Sequence, residues 1–432
     1  MTIDTLRADH LGCYGYFRDT SPRIDAFATE CVVFDQAVAP MATTLPSHMT
    51  LFTGLEPLEH GITANVGDGG AIFGVKAGVH PVSSLADRAG FKTAAFVSAT
   101  PLKKSCGLGA AFTYYNEPES AVRRGADTID AAITWLHANR SGRFVLFVHI
   151  YDPHYPYDPP APHHLAYETD AQLEQWIADR RMTPLIQPGP CRNPVPTPAI
   201  ASHNLYDGEV RYSDEQVGRL FDTLRELELW DASTVVFASD HGEGLNQHDW
   251  PQHGRVWFEQ VHVPLMIKFP KGSSQVPRRI PLLVGLVDVM PTLIEELDLN
   301  WARDLAVAAS GKNVLDAGFR ERPLLSKRSD RDCPIDPGGR FALTTSAWRF
   351  HLGAEAGDLL FDRRSDPFEL AGVQNLKPNI AGDLLRQTRA LIEFYEARGR
   401  DLDSGPPRPI EKMDPKLVRE LESLGYGGES VR

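Results

Sequence analysis

The sequence predicts an α/β protein, a mixed and mostly parallel sheet held between helices, with a small antiparallel subdomain toward the carboxyl end. Three observations predict it. Short runs rich in Val, Phe and Ile alternate with longer amphipathic stretches, the pattern of a parallel sheet covered by helices. Acidic, hydroxyl and imidazole side chains gather beside the ends of those runs, where such sheets carry their functional groups. Past about residue 335 the texture turns to short polar strands, which reads as a separate small sheet.

Taken in order, "MTIDTLRADHLG" opens the chain with only three residues before Asp4. A central parallel strand runs about 5–6 residues, so the first strand is expected to be cut short, with several apolar residues belonging before Met1. "MATTLPSHMTLFTG" at 41–54 places Thr44 two residues before Pro46. Proline is comfortable in a helix's first turn, so a helix is expected to start near Pro46 with Thr44 at its amino end. "KTAAFVSA" (92–99), "RFVLFVHIY" (143–151), "STVVFASD" (233–240) and "VPLMIKFP" (263–270) read as strands, being too short and too β-branched or aromatic for helices.

Helices are expected over "GADTIDAAITWLHAN" (125–139) and "SDEQVGRLFDTLRELEL" (213–229). In the second, Val217, Leu220, Phe221, Leu224 and Leu227 form an apolar stripe, and Ser213 with Gln216 reads as a capping box. Residues 153–205 are rich in proline and histidine without a sustained period and read as an irregular insertion, of the kind that shapes substrate pockets. The expected division is a catalytic domain over 1–334 and a small subdomain over 335–432. The latter is built from "RFALTTSAWRFHLG", "DLLFDRR", a terminal helix and "VRELESLGY".

Composition excludes several partners. With 42% hydrophobic and 23% charged residues the chain can bury a sizeable core, and a net charge of −13 repels polyanions, so nucleic acid is not an expected partner. No apolar run approaches the roughly 20 residues that span a bilayer, and no signal sequence opens the chain, which makes the cytoplasm the expected location. Cys13, Cys31, Cys106, Cys191 and Cys333 are scattered without a CxxC pair and read as buried free thiols. Oligomeric state is not legible.

Four stretches carry the chemistry: "IDTLRADH", "TTLPSH", "HIYDPHYPYDPP" and "SDHGEGLNQHDWPQHG". Singly, most have plainer readings: Asp4 as a helix cap, Thr44 as a turn residue, His149 as a satisfied core histidine, His154 as a loop residue. The fourth stretch is harder to set aside. Asp240 and His241 end an apolar strand just before Gly242, with His248 and His253 following. A carboxylate beside an imidazole offers one oxygen and one nitrogen to a divalent ion at about 2.0–2.2 Å. A metal held by Asp4, Asp240 and His241 would leave a position for the Thr44 oxygen, and ligation lowers the cost of forming its alkoxide. The helix amino terminus would stabilise an attacked anionic group, which makes this a phosphate or sulfate site. Of His154 and His253, one would protonate the leaving oxygen and the other bind a non-bridging oxygen.

These residues resemble the sulfatase family of the alkaline phosphatase superfamily. "DTLRADHLGCYGY" is similar to that family's first metal-binding strand and turn, and "TLPSHMTLFTGLEPLEHG" to its nucleophile segment. "SDHGEGLNQHDWPQHG" is similar to its second metal segment, "VDVMPTLIEELDL" to the helix after it, and "LLFDRRSDPFE" with "LESLGY" to its C-terminal subdomain. The resemblance runs from residue 3 to about 427 and implies an alkaline-phosphatase-like fold. It implies metal ligands Asp4, Thr44, Asp240 and His241, an acid at His154, and an anion contact at His253, where the family has Lys or His. His48 stands where the family has arginine, to steady the nucleophile or the anion.

The departure is position 44. Classical sulfatases convert Cys or Ser to formylglycine, whose sulfated hydrate collapses by elimination. Threonine's extra methyl would give a ketone, and a sulfated threonine has no second hydroxyl to expel the sulfate. A phosphothreonine can be opened by water attacking phosphorus in line, and relatives with threonine here, such as nucleotide pyrophosphatases and phosphoethanolamine transferases, act on phosphate esters. The resemblance therefore implies a hydrolase of small-molecule phosphate or phosphonate esters, including phosphodiesters. A sulfuric ester hydrolase and an inactive anion-binding protein are the alternatives. One divalent ion is expected, manganese or zinc before calcium; a second would need further ligands, for which Asp152 and His149 are the available pair.

Overall fold

The alternation of short apolar runs and amphipathic stretches builds a large sheet with a smaller one beside it. The computed structural model describes every residue except 68–72, 74, 77, 110–111, 184, 187–196, 330–338, 356, 403–411, 413 and 425–432. Cys191, Cys333 and the last two residues of "VRELESLGY" lie outside the described residues. The strands are β1 (Thr2–Ile3), β2 (Val32–Val38), β3 (Lys92–Phe96), β4 (Tyr114–Asn116), β5 (Phe144–Ile150), β6 (Leu185–Ile186), β7 (Thr197–Pro198), β8 (Val235–Ser239), β9 (His262–Lys268), β10 (Arg278–Gly285), β11 (Leu324–Lys327), β12 (Phe341–Thr344), β13 (Trp348–Leu352) and β14 (Leu359–Asp362). The helices are α1 (Pro22–Ala28), α2 (Thr44–Thr53), α3 (Pro57–His60), α4 (Val82–Arg88), α5 (Gly125–Asn139), α6 (Ala171–Asp179), α7 (Ala199–Glu226), α8 (Phe258–Val261), α9 (Val289–Glu296), α10 (Arg303–Ala308), α11 (Pro378–Asp401) and α12 (Pro415–Ser423).

The main sheet runs β10-β2-β9-β8-β1-β5-β3-β4, with β9 antiparallel to both neighbours and the other pairs parallel. Its two-residue side-chain period sorts the core into layers. Phe96, Val148 and Ile150 face α1, α5 and α7 through Phe27, Leu136 and Phe221. Ala95, Val97 and Phe147 face α2 and α9 through Met49, Phe52 and Ile294. A parallel sheet buried on both faces needs apolar residues at every strand position, which is why these strands read as continuous apolar runs.

The second sheet runs β11-β12-β13-β14, wholly antiparallel, and packs its Leu343, Phe350 and Leu360 against Leu384 and Tyr395 of α11. No helix among the described residues is long and apolar enough to cross a membrane.

The four expected strands and the helix at 125–139 form where the sequence placed them. The helix expected at 213–229 instead runs from Ala199, fourteen residues earlier, so Ser213 is no cap; its buried hydroxyl donates to the Asp152 carbonyl at 2.9 Å. The polar residues Asp207 and Glu209 that obscured its first half are buried partners of the surrounding loops, not a solvent face. Part of the insertion at 153–205 is therefore helical, in α6 and the start of α7.

Candidate active site

Loops from the carboxyl ends of several main-sheet strands converge. Asp4 follows β1, its N–H held by the Ile150 carbonyl at 2.9 Å. Tyr151–His154 follow β5, Asp240 and His241 follow β8, and the link after β2 enters α2 at Thr44. This helix begins two residues earlier than Pro46 predicts, with extended Thr43 as its cap and the Ser47 N–H closing on the Thr43 carbonyl. It ends at Gly54 in the left-handed region (φ 67°), where a Cβ would meet Ala309 Cβ at 2.9 Å, so glycine is needed both for conformation and for space. All ten residues of α2 are buried, so packing on every side fixes where Thr44 points.

Thr44 Oγ1 lies 3.4 Å from Asp4 Oδ2, a long contact for a hydroxyl donor, and His149 Nε2 reaches the same oxygen at 3.2 Å. The other Asp4 oxygen, Oδ1, is 3.5 Å from His241 Nε2, which is 3.4 Å from Asp240 Oδ2. Asp4 Oδ1, Asp240 Oδ2 and His241 Nε2 are buried, and none has a hydrogen-bond partner among the described residues. One ligand atom from each of the three residues falls within a span of 4.8 Å. The His241 Nδ1 sits 3.0 Å from the Gly242 carbonyl, which places its proton there and leaves a lone pair on Nε2.

Desolvation raises both carboxyls well above the usual range, Asp240 further through the neighbouring Asp4 charge, while burial and then His253 lower His241. Two carboxylate oxygens and an imidazole nitrogen, buried without internal partners, form a donor set that fits a divalent cation.

His48 lies behind Thr44. Thr2 Oγ1 donates to its Nε2 at 2.8 Å, and its Nδ1 donates to the Thr44 carbonyl at 2.8 Å while sitting 3.6 Å from Asp240 Oδ2. Burial holds it well below the ordinary histidine range, so it is a neutral brace and not the cation that an arginine would be. His154 and His253 face each other, Nε2 to Nε2, at 3.0 Å. Their Nδ1 atoms meet the Tyr155 and Ala42 carbonyls at 2.5 and 3.1 Å, and the His253 ring is 4.5 Å from that of His241. Burial lowers both histidines, His253 to about 4.

The candidate residues Asp4, Thr44, His48, His154, Asp240, His241 and His253 are thus brought to one end of the sheet, with His149 beside them. Asp152 is not: its carboxylate accepts from Arg124 and from the Gly125 N–H at the start of α5. His248 also turns away, stacking on Trp257 at 3.7 Å and meeting Glu259.

Two contributors escape a sequence reading. Asn65 accepts the Leu45 N–H at 2.8 Å, taking a donor that the helix end was expected to offer an anion, and its own Nδ2 is buried with no partner among the described residues. Thr2 is the second, through His48. Neither belongs to a local pattern; both act across the fold.

Comparison with known proteins identifies the family and the fold. The family model described as Sulfatase matches residues 1–299. The chain is 25% identical over 487 aligned residues to the uncharacterized sulfatase YidJ of Escherichia coli (strain K12), covering 97% of this chain and 95% of that one. It spans about half the length of the rat and mouse arylsulfatase K proteins that it also matches. Among solved structures, the yidJ protein of Bacteroides fragilis superposes with a TM-score of 0.74 at 18% identity, covering 93% of this chain and 96% of that one. The phosphonate monoester hydrolase of Agrobacterium radiobacter superposes with a TM-score of 0.67 at 19% identity, covering 90% and 95%. These structural likenesses establish the alkaline-phosphatase-like fold.

Proposed function

We propose, from the premise that the chain belongs to the sulfatase family, that it is a metal-dependent hydrolase of small phosphate or phosphonate esters with Thr44 as its nucleophile. The observation that carries this is the hydroxyl of Thr44 at the start of α2, 3.4 Å from a carboxylate of the buried Asp4, Asp240 and His241 group, each of which holds one atom with no hydrogen-bond partner among the described residues. The fold shared with a phosphonate monoester hydrolase supports the phosphorus reading.

Asp4, Asp240 and His241 would hold the divalent ion, with the Thr44 hydroxyl beside them. Bound there, the ion supplies Lewis acidity toward the ester and makes the hydroxyl easier to ionise. The residues do the rest. Asp4 orients Thr44 Oγ1, and His48 fixes the backbone behind it through the Thr44 carbonyl. Oγ1, its proton passing to the Asp4 carboxylate, attacks phosphorus as the bond to the leaving oxygen breaks, and the leaving oxygen takes a proton from the His154–His253 pair. The facing Nε2 atoms, 3.0 Å apart, need a proton between them; the substrate's anionic charge opposes the burial that lowers both histidines, and the pair would donate that proton and later recover it from the attacking water. Water then opens the phosphothreonine in line, returning Thr44 and releasing the acid. The Asn65 Nδ2 is a donor available to the anion.

The test uses the full chain loaded with Mn²⁺ or Zn²⁺ and assayed on p-nitrophenyl phosphate, bis-p-nitrophenyl phosphate, an aryl phosphonate and p-nitrophenyl sulfate. Phosphorus-ester turnover that falls by about 10³-fold or more in Thr44→Ala, and persists in Thr44→Ser, is the expected result. Turnover of the sulfate alone would identify a sulfuric ester hydrolase. Metal uptake without turnover would identify a binding protein.

A further inference from the structure

The two sheets meet across a cleft of about 350 Å³ whose walls include Gln36, Phe258, His262, Arg349, Arg363 and Arg364, and none of the candidate active-site residues lines it. Its construction begins with a break in strand pairing. The β2–β9 register shifts between Phe34 and Ala37, where two β2 residues oppose one of β9, so Asp35 and Gln36 bulge; the β10–β2 register shifts as well, between Ile280 and Leu283, there with the extra residue on β10. A bulge re-aims the side chains at its crest. Gln36, at that crest, accepts from Arg363 Nη2 at 2.8 Å, and the Thr345 carbonyl accepts from Nη1 at 2.7 Å. The guanidiniums of Arg349 and Arg363 lie 5.2 and 5.0 Å from the centre of the Phe258 ring, which also stacks parallel to His262.

Charge in this cleft does not balance. Arg349 is turned inward, donating to Glu369, its counter-charge, and to the Thr344 hydroxyl and the Val256 carbonyl. Glu369 is equally committed, since it also meets His351 and accepts the Phe258 N–H. Asp366, on the same wall, directs its two oxygens to the Leu370 and Ala371 N–H groups. Arg363 therefore bonds only neutral acceptors. Arg364 gives its backbone N–H to Asp362, and among the described residues neither of these two guanidiniums forms an ion pair. Burial, then the like charge of Arg349, bring Arg363 down to about 10, with Glu369 and Glu321 pulling weakly the other way. A half-buried cation without a counter-ion among the described residues is a cost that an anion would relieve.

We propose that this cleft is a non-catalytic binding site for a small tetrahedral oxyanion, a sulfate or phosphate group either free or borne on an organic ester, held by Arg363 and Arg364 with Gln36. The guanidinium fork matches such oxyanions with paired N–H donors, and among the described residues three of the five N–H groups of Arg363 have no acceptor. The volume is at the small end of the ~300–1,000 Å³ range of ligand pockets. A metal is the wrong occupant, because both acids on the walls are already engaged. The proposal does not depend on the reaction proposed above.

Isothermal titration of the full chain with sodium sulfate and with sodium phosphate, at ionic strength held constant with chloride, tests it. The titrations are run on wild type and on a Thr44→Ala, Asp240→Asn double variant that disables the candidate active site. We expect one oxyanion bound per chain in that double variant, and affinity about tenfold weaker or more when Arg363→Met and Arg364→Ser are added. Should the added Arg363→Met prevent folding, Arg364→Ser alone, an exposed change, is expected to weaken binding about threefold. Tighter binding of O-phosphoserine than of inorganic phosphate would assign the ester-borne group, and the reverse order the free ion. Heat that disappears with Thr44→Ala and Asp240→Asn, affinity unmoved by the arginine changes, or no binding at all would overturn the proposal.

Discussion

Asp240 and Glu369 are both almost wholly buried, yet burial treats them oppositely. Glu369 is 4% exposed and Asp240 1%. Desolvation pushes both carboxyls upward, but at Glu369 the charges of Arg349, His351 and His248 with the His351 hydrogen bond outweigh it, and the group is held far below the usual carboxylate range. Asp240 has Asp4 as its nearest charge and is driven up. Both Glu369 oxygens have donors from the chain, whereas Asp240 Oδ2 has none among the described residues. The same chemical group is structure in one place and an unmet valence in the other. A carboxylate answered by its own fold needs nothing more; one left unanswered at the end of a parallel sheet is poised for a ligand.

The comparison breaks first at Glu369. Glu369→Gln leaves the Arg349 guanidinium buried without its counter-charge, and breaking such a pair costs about 3–5 kcal/mol. Urea unfolding should show a loss of that size, with protein that still binds metal wherever it remains folded. Asp240→Asn should do the reverse. In EDTA at pH 8 it relieves a buried carboxyl that sits against Asp4 and whose Oδ2 has no partner among the described residues, and is expected to stabilise the fold by about 1–3 kcal/mol, while abolishing metal uptake measured by atomic absorption. If Asp240→Asn destabilises as much as Glu369→Gln, the two carboxyls are doing the same job and the candidate metal site loses its basis.

The same contrast extends to histidines and can be sharpened with pH. Burial, with a smaller contribution from Lys76, lowers His60 to about 3, and it sits uncharged between the Thr50 hydroxyl and the Ile62 N–H. The unfolded chain takes up a proton at this histidine below its ordinary value of 6.5, and the folded chain does not until about 3. Its contribution is therefore complete above pH 6.5 and is lost as pH falls toward 3, at about 1.4 kcal/mol per pH unit. Desolvation opposes the charge of His248 too, but Glu259 and then Glu369 overcome it and raise that histidine. Its contribution is present below 6.5 and lost as pH rises through its raised value. His60→Gln should flatten the rise of stability between about pH 3 and 6.5 measured by urea unfolding, whereas His248→Gln should leave that slope unchanged and remove a loss of stability that sets in above pH 6.5. Both variants moving that slope the same way would contradict the assignment.

The sequence carried the parts of this picture that are local. Strands buried on both faces must be apolar at every position, so β3, β5, β8 and β9 were legible as runs, and the residues just after them, including Asp240, His241 and His154, as chemistry. The edge strand β10 was not, because its partly exposed residues break the run. The first half of α7 was not, because buried polar residues there answer distant loops and imitate a solvent face. The roles of His48 and Asn65 depend on Thr2 and Leu45 arriving beside them, a long-range coincidence that spacing cannot encode. The Glu369 network joins four separate segments and has no local signature at all.

The smallest predicted effect decides how the larger ones are read. Lys271 and Asp231 pair at 3.1 Å with their side chains 81% and 64% exposed. Lys271→Met leaves the Lys271 N–H on the Asp231 carbonyl intact and removes only the ion pair. Water solvates both charges in either state, so the expected change is below about 0.5 kcal/mol in urea unfolding. A loss above about 1 kcal/mol would mean that charge pairing is worth that much on this protein even in solvent. The cost at Glu369 could then no longer be ascribed to burial, and the opposite signs expected for Glu369→Gln and Asp240→Asn would lose their common cause.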